Sequence, residues 1–374
     1  MGVSAGKLDD LLARARRDVD DGILPSCQIA VGLGGEVIAF ETFGAATPDT
    51  RYSVFSCTKP IVASTAWVLM GQGRIDVEAP VVSYVPEFGT NGKHVVTVEH
   101  LLLHTCGFPS ETLMPPEWNT REGRLAAFAA WKLKWEPGRA FEYHPTSAHW
   151  VLAEVVERAA GCDYRDAVQR LVTDPAGFDR RVLGLGASHG DQDGIAPMEV
   201  WGSPATPDEL EAAIGVRELP STEITDAALL GFNLPEVRAA GVPGAGAVLR
   251  ACDLALFYQR LLHDPDGIWH PAVLADGTGT VRNTFGDPLF SVPANRTRGL
   301  VQAGGDGLSF LRGFGSSVSA RAFGHNGAGG QIAWADPESG LSFAYATNGL
   351  DANVIRQFRR GMSLSTRAGR LLDD

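Results

Sequence analysis

Ser56 and Lys59 stand three residues apart in Ser56-Cys57-Thr58-Lys59, at the head of a small, apolar stretch that reads as a helix from Ser56 to Met70. Positions i and i+3 share a helix face, so the lysine can meet the serine hydroxyl. That hydroxyl is a weak nucleophile until a base takes its proton. Lysine serves as the base only when burial lowers its pKa. The setting favours this: Pro60, Ile61, Val62 and Ala63 follow at once, and no Asp or Glu lies within ten residues downstream. Ser-x-x-Lys alone is a common accident, so the reading needs further segments.

Two segments supply them. Trp135-Glu136-Pro137-Gly138 leads through Phe141-Glu142-Tyr143 into a helical pattern over Thr146–Arg158. Tyr143 thus sits in the entry loop of an amphipathic helix, where a phenol beside a lysine can accept and return protons. The bland alternative is a tyrosine packed under the helix start. Further on, Gly324-His325-Asn326-Gly327 precedes a strand pattern over Gly330–Ala335. The small residues from Gly327 to Gly330 let a substrate lie against the backbone. A free N–H there can stabilise an acyl oxyanion. The bland alternative is a plain glycine-rich turn.

In this order, Ser-x-x-Lys, a later Tyr and a [His/Lys]-x-Gly before a C-terminal strand resemble the signature of serine β-lactamases, penicillin-binding proteins and family VIII carboxylesterases. Leu101-Leu102-Leu103-His104-Thr105-Cys106-Gly107 resembles the group's Leu-Leu-x-His-Thr-Ser-Gly stretch. Val242-Pro243-Gly244-Ala245-Gly246 resembles its Pro-Gly-Gly-Gly helix start, and Gly329 to Pro337 the strand after the third motif. The resemblance covers residues 8 to 360 or so. It implies that Ser56 is acylated, that Lys59 activates it, and that Tyr143 acts as acid and base toward leaving group and water. It also implies an oxyanion hole from the N–H groups of Ser56 and Ala328, with His325, Asn326 and Gly327 against the substrate.

Two departures narrow the substrate. The second motif reads Tyr143-His144-Pro145 where the group has Asn or Ser third, so no side-chain amide is offered at Pro145. His325 stands where β-lactamases have Lys, so a fixed positive charge is lost at neutral pH. Both changes disfavour penicillins and peptidoglycan stems and fit the esterase branch. The resemblance therefore implies a carboxylesterase for small acyl esters. The alternative is a biosynthetic acyltransferase or transesterifying amide synthase that passes the acyl group to an alcohol or amine. A β-lactamase, a D-amino-peptidase or an inactive binding module is less favoured.

The elements that must position these residues are readable too. Gln28–Leu33 and Glu36–Phe43 flank Gly34-Gly35, a hairpin signal. Gly330–Ala335 and Leu341–Thr347 flank a turn at Asp336 to Gly340 and form a second hairpin. Helical patterns cover the N-terminus, with Leu8, Leu11, Leu12 and Ala15 on one side, and also Arg121–Lys132, Pro207–Ile214, Ala247–Leu262 and Ala352–Leu372. Strands at both ends and helices between them predict an α/β (α+β) fold of the β-lactamase type. It would be an antiparallel sheet flanked by terminal helices, with an inserted, mainly helical domain. The expected division is 1–80 and 240–374 for the sheet-containing part and 81–239 for the helical part, within one unit over 1–374.

Composition excludes other classes. The net charge is −12 with no basic cluster, which makes nucleic acid and anionic membranes poor partners. No run of 18 apolar residues occurs, so no membrane span is expected. Five cysteines are scattered, never as Cys-x-x-Cys. Free thiols in a reducing cytoplasm, no zinc site and no cofactor are the expectation, and the polar N-terminus does not read as a secretory signal. Gly186-Ala187-Ser188-His189-Gly190 matches a nucleophile elbow, but Asp191-Gln192-Asp193-Gly194 after it is loop chemistry, which disfavours Ser188. Cys57 is expected in the core, and His104, His144 and His149 are expected to be structural.

Overall fold

A computed structural model describes residues 2–186, 191–218 and 224–373. Ser188 lies outside them. One six-stranded sheet is assembled from the two ends of the chain. Strand β1 (Ser26–Leu33) turns through Gly34 and Gly35, at φ 63° and 90°, into β2 (Glu36–Gly44). Only glycine adopts both angles without a Cβ penalty, which fixes this hairpin. The remaining strands are β3 (Val301–Gln302), β4 (Phe323–Gly324), β5 (Ile332–Asp336) and β6 (Leu341–Thr347). The order is β2-β1-β6-β5-β4-β3, with every pair antiparallel.

The two faces of this sheet differ in side-chain size, because alternate residues point to opposite sides. On one face Ile29, Val31, Trp334, Phe343 and Tyr345 are bulky. They pack with Leu11 and Ala15 of helix α1 (Ala5–Asp20) and with Leu364 and Ala368 of helix α5 (Val354–Ala368). The other face presents Ala30, Ala333, Ala335, Ala344 and Ala346. Those small residues let the helix α4 (Ala251–His263) lie close, with Leu254, Ala255 and Tyr258 buried in the same core. Arg360 of α5 bonds Asp18 of α1 and Asp351, tying the terminal helices together.

Helix α2 (Thr58–Gly71) is buried on all sides from Thr58 to Leu69 and shares the larger core with helix α3 (Ser147–Ala160). Its start differs from the expected one. Ser56 lies in a 3-10 turn, Phe55–Cys57, just ahead of the helix. Helix α4 begins at Ala251 rather than Ala247, because Val248–Leu249 pairs with Tyr52–Ser53. The helix expected over Arg121–Lys132 ends at Ala130. Among the described residues no helix is long and apolar enough to cross a membrane.

Candidate active site

The nucleophile candidate is held in a strained turn. Phe55 has φ 45°, a left-handed conformation that costs a bulky residue free energy and persists only where packing enforces it. Its ring meets Phe232 edge-on at 5.3 Å and shares a small cluster with Met198 and Leu350. The Thr58 hydroxyl closes the turn on Phe55 O at 2.6 Å and accepts from Ala247 N at 3.0 Å. Ser56 emerges 9% exposed. Cys57 is buried in the core and its thiol is pushed up to about 12 by burial, which makes it inert.

Lys59 is fully buried. Its Nζ lies 3.1 Å from Ser56 Oγ and 2.7 Å from each of two carbonyls, Pro145 O and Gly244 O. None of these partners is a carboxylate. Burial, and then the Arg296 charge, push its pKa well below the ordinary lysine value. A neutral amine has two N–H groups and one lone pair. Here Nζ donates to both carbonyls and to Ser56 Oγ; in the neutral form two N–H groups suffice for the carbonyls, and the lone pair then faces Ser56. Tyr143 completes the set, its hydroxyl donating to Ser56 Oγ at 2.8 Å. Ser56 Oγ thus accepts from both Tyr143 and Lys59, and its own proton can turn toward Lys59 once that amine is neutral. Burial raises the Tyr143 phenol to about 12, against the lowering effects of Arg296 and Ser56, so the resting tyrosine is a proton donor.

Tyr143 is seated by the histidines that the sequence marks as structural. His104 ends the short helix Val98–Leu103 at φ 56° and stacks on Tyr143 at 4.9 Å. Its Nδ1 accepts from His144 N at 3.2 Å. His144 Nδ1 donates to Glu142 O at 2.7 Å while Nε2 accepts from Phe108 N at 3.1 Å. Burial lowers His144 to about 3 and keeps His104 and His149 neutral as well. Both ring nitrogens of His149 lack a partner among the described residues. No group of three or more His, Cys, Asp or Glu among those residues can hold a metal ion.

The glycine-rich segment closes the site. A Cβ on Gly327 would fall 2.2 Å from Val54 O, so only glycine lets this backbone lie against the turn that carries Ser56. Ala328 opens the turn Ala328–Gly330, which rests on Leu350 and Phe55 through Gly329. Asn326 is engaged at both ends of its amide, with Nδ2 donating to Gly313 O at 2.7 Å and Oδ1 accepting from Ala333 N at 3.3 Å. His325 is buried and neutral, with burial and then Arg296 holding its pKa well below the usual value. Its Nδ1 donates to Asn326 O at 2.9 Å, and Nε2 faces Arg296 Nη1 at 3.4 Å.

The sequence does not mark Arg296 as a site residue. It stands in a glycine- and proline-rich loop with no motif around it. The expectation that the site lacks a fixed positive charge holds for His325 alone, because the Arg296 guanidinium lies 3.4 Å from His325 Nε2.

Against known proteins, the profile of the β-lactamase family matches residues 11–364. The chain is 29% identical over 333 residues to "Esterase/beta-lactamase LipL" of Mycobacterium tuberculosis, covering 82% of this chain and 71% of that one. A penicillin-binding protein homolog from Caulobacter crescentus superposes with TM-score 0.78 at 25% identity, covering 100% of this chain and 99% of that chain. A family VIII carboxylesterase gives 0.76 at 25% identity, covering 98% and 99%. The chain belongs to the β-lactamase family and is an enzyme of its serine-hydrolase type.

Proposed function

We propose that this enzyme is a carboxylesterase for small acyl esters, working through an acyl-Ser56 intermediate. The observation that carries the reading is the buried Lys59 amine, bound by two backbone carbonyls and aimed at a serine that also accepts from Tyr143. The esterase names of the relatives support the same choice.

Lys59 takes the Ser56 proton as Oγ forms a bond to the ester carbonyl carbon. The N–H groups of Ser56 and Ala328 receive the oxyanion, and His325 and Gly327 line the substrate. When the bond to the alcohol breaks, Tyr143 gives its proton to the departing oxygen. In the second half the Tyr143 phenolate takes a proton from water, whose oxygen attacks the acyl carbon. Lys59 then returns the first proton to Ser56. The net change is ester plus water to acid plus alcohol. The cleft would lie where the 81–239 segment meets the sheet-containing part. The free cysteines support a reducing, cytoplasmic setting.

Intact-mass measurement with p-nitrophenyl butyrate tests this. An adduct that maps to Ser56, clears in buffer and is lost together with turnover in Ser56→Ala is expected. A long-lived adduct that clears only on adding an alcohol or amine would make the enzyme an acyltransferase. No adduct at Ser56 would end the reading.

A further inference from the structure

Arg296 is 7% exposed, and no carboxylate pairs with it among the described residues. Its Nε has no partner there either. Asp287 and Tyr143 act on it only through space, against the lowering effect of burial. An unpaired buried cation is expensive, so a fold keeps one where its charge is used. The guanidinium carbon sits 5.1 Å from the Tyr143 ring centroid and 5.2 Å from that of Phe141. Lys59 Nζ lies 4.9 Å from the same Tyr143 ring. The phenol is thus near two nitrogen cations or potential cations, with His325 beside it, its ring 5.8 Å from that of Tyr143 and its Nε2 3.4 Å from Arg296 Nη1.

The backbone fixes this placement. Arg296 O accepts from Arg282 N and Asn283 N at 2.9 and 3.1 Å, and Arg296 N donates to Asn283 O at 3.0 Å. Asn283 Nδ2 in turn donates to Leu103 O, next to the His104 that seats Tyr143. On the other side, Trp67 of α2 donates from Nε1 to Arg298 O at 2.9 Å, and Gly299 packs against Ala63 of that helix. The segment therefore registers Arg296 against both the Lys59 helix and the Tyr143 loop.

We propose that Arg296 is a positioning residue whose fixed charge stabilises the Tyr143 phenolate formed when the phenol protonates the departing alkoxide. Its charge replaces, from a remote loop, the one that a lysine at position 325 would supply. The idea rests on the acyl-Ser56 reading. In the resting state the phenol is neutral. As its proton moves to the leaving oxygen, negative charge develops on the phenol oxygen. A cation already in place needs no reorganisation at that moment. The Lys59 ammonium, formed by taking the Ser56 proton, supplies the second charge.

Leaving-group dependence tests it, because p-nitrophenolate departs without a proton and ethoxide does not. We compare kcat/KM for p-nitrophenyl butyrate and ethyl butyrate, both uncharged. In Arg296→Gln the aryl-to-alkyl ratio is expected to rise about 10- to 100-fold, within the range that proton delivery contributes. Tyr143→Phe should raise the same ratio, and the double variant should add little to either. Arg296→Lys keeps the charge and should hold the ratio within about threefold of wild type.

An unmoved ratio in folded Arg296→Gln would overturn the proposal. So would a loss confined to KM for carboxylate-bearing esters, which would make Arg296 a substrate anchor. If Arg296→Gln does not fold, Arg296→Lys still decides: a ratio raised as far as in Tyr143→Phe means the charge is not what matters. Wild type lacking a Ser56 adduct would end the parent reading too, whereas an adduct with an unmoved ratio would end only this one.

Discussion

Two lysines are fully buried in this protein, Lys59 and Lys93, and their contacts are nearly the same. Lys93 Nζ donates to Thr90 O at 2.9 Å and Trp131 O at 2.5 Å, and meets the Thr90 hydroxyl at 3.2 Å. It lies 5.4 Å from the Phe88 ring centroid. Each lysine thus has two carbonyls, one hydroxyl and one aromatic face. The difference is where the hydroxyl proton goes. Thr90 donates its own to Ala129 O, so it can only accept from Lys93, and that lysine must supply three N–H groups. Ser56 accepts from both Tyr143 and Lys59 and donates to no group among the described residues, so its proton is uncommitted. The surrounding charge differs in sign as well. Arg296 pushes the Lys59 pKa further down, whereas Glu111 pulls Lys93 back up against burial. Burial with carbonyl partners suits a structural lysine; a hydroxyl with an uncommitted proton and a nearby cation suit the base proposed for Lys59.

The largest expected effect separates the two directly. Lys59→Ala should slow acylation by about two to four orders of magnitude, the usual range for a lost general base. Lys93→Met should cost about 1–3 kcal/mol of stability, because Trp131 O and Thr90 O lose their donor. Its kcat per folded molecule should stay near wild type. Burst kinetics and chemical denaturation of both variants check this. Equal acylation rates in Lys59→Ala and wild type would erase the distinction.

The side of this comparison for which chemistry is proposed is legible in the sequence because the Ser56–Lys59 pair is local. Ser56 and Lys59 are one turn apart, and Tyr143 precedes an amphipathic helix. The hairpins were legible through Gly34-Gly35 and the turn from Asp336 to Gly340. What stayed hidden is non-local or made of backbone. Pro145 offers no side-chain amide, but its carbonyl holds Lys59. Gly244 looked like a helix start and supplies the other carbonyl. Ala247 to Leu249 fits a helical period, and only pairing with Tyr52–Ser53 makes part of it a strand. Arg296 reaches the site through a chain of backbone bonds to Asn283 and Leu103 that no motif encodes.

The pH dependence sharpens the contrast. In the proposed mechanism Lys59 acts as the neutral amine, and burial, then the Arg296 charge, depress its folded pKa. Acylation should therefore be full above that lowered pKa and fall as pH drops through it, by about tenfold per unit below it. Burial holds His104, His144, His149 and His325 well under the ordinary histidine range, so none of them should set this limb. Lys93→Met should leave the profile in place. In Lys59→Ala the residual acylation should lose the acidic limb, and a limb that survives there unchanged would assign it to another group.

The smallest expected effect concerns the glycine beside each lysine. A Cβ on Gly244 would lie 3.0 Å from Pro145 O, 3.3 Å from Thr146 Cα and 3.4 Å from Lys59 Nζ. Its φ is not in the left-handed range, so alanine meets crowding rather than backbone strain. The atom that must yield is one of the two carbonyls that hold Lys59 Nζ. A shift of a few tenths of an ångström there misaligns the base, and small misplacements cost rate out of proportion to stability. Gly244→Ala should thus lower kcat by about three- to tenfold with a modest loss of stability. Gly92, next to Lys93, has φ 81°, and its Cβ would meet only Leu133 Cδ1 at 3.7 Å. Alanine there is strained but not crowded, so Gly92→Ala should lose about 1 kcal/mol of stability without a kcat change. Thermal melts and steady-state kinetics on the pair read both quantities. If Gly244→Ala loses stability alone, in the manner of Gly92→Ala, the carbonyl pair is mere packing around Lys59 and does not aim it.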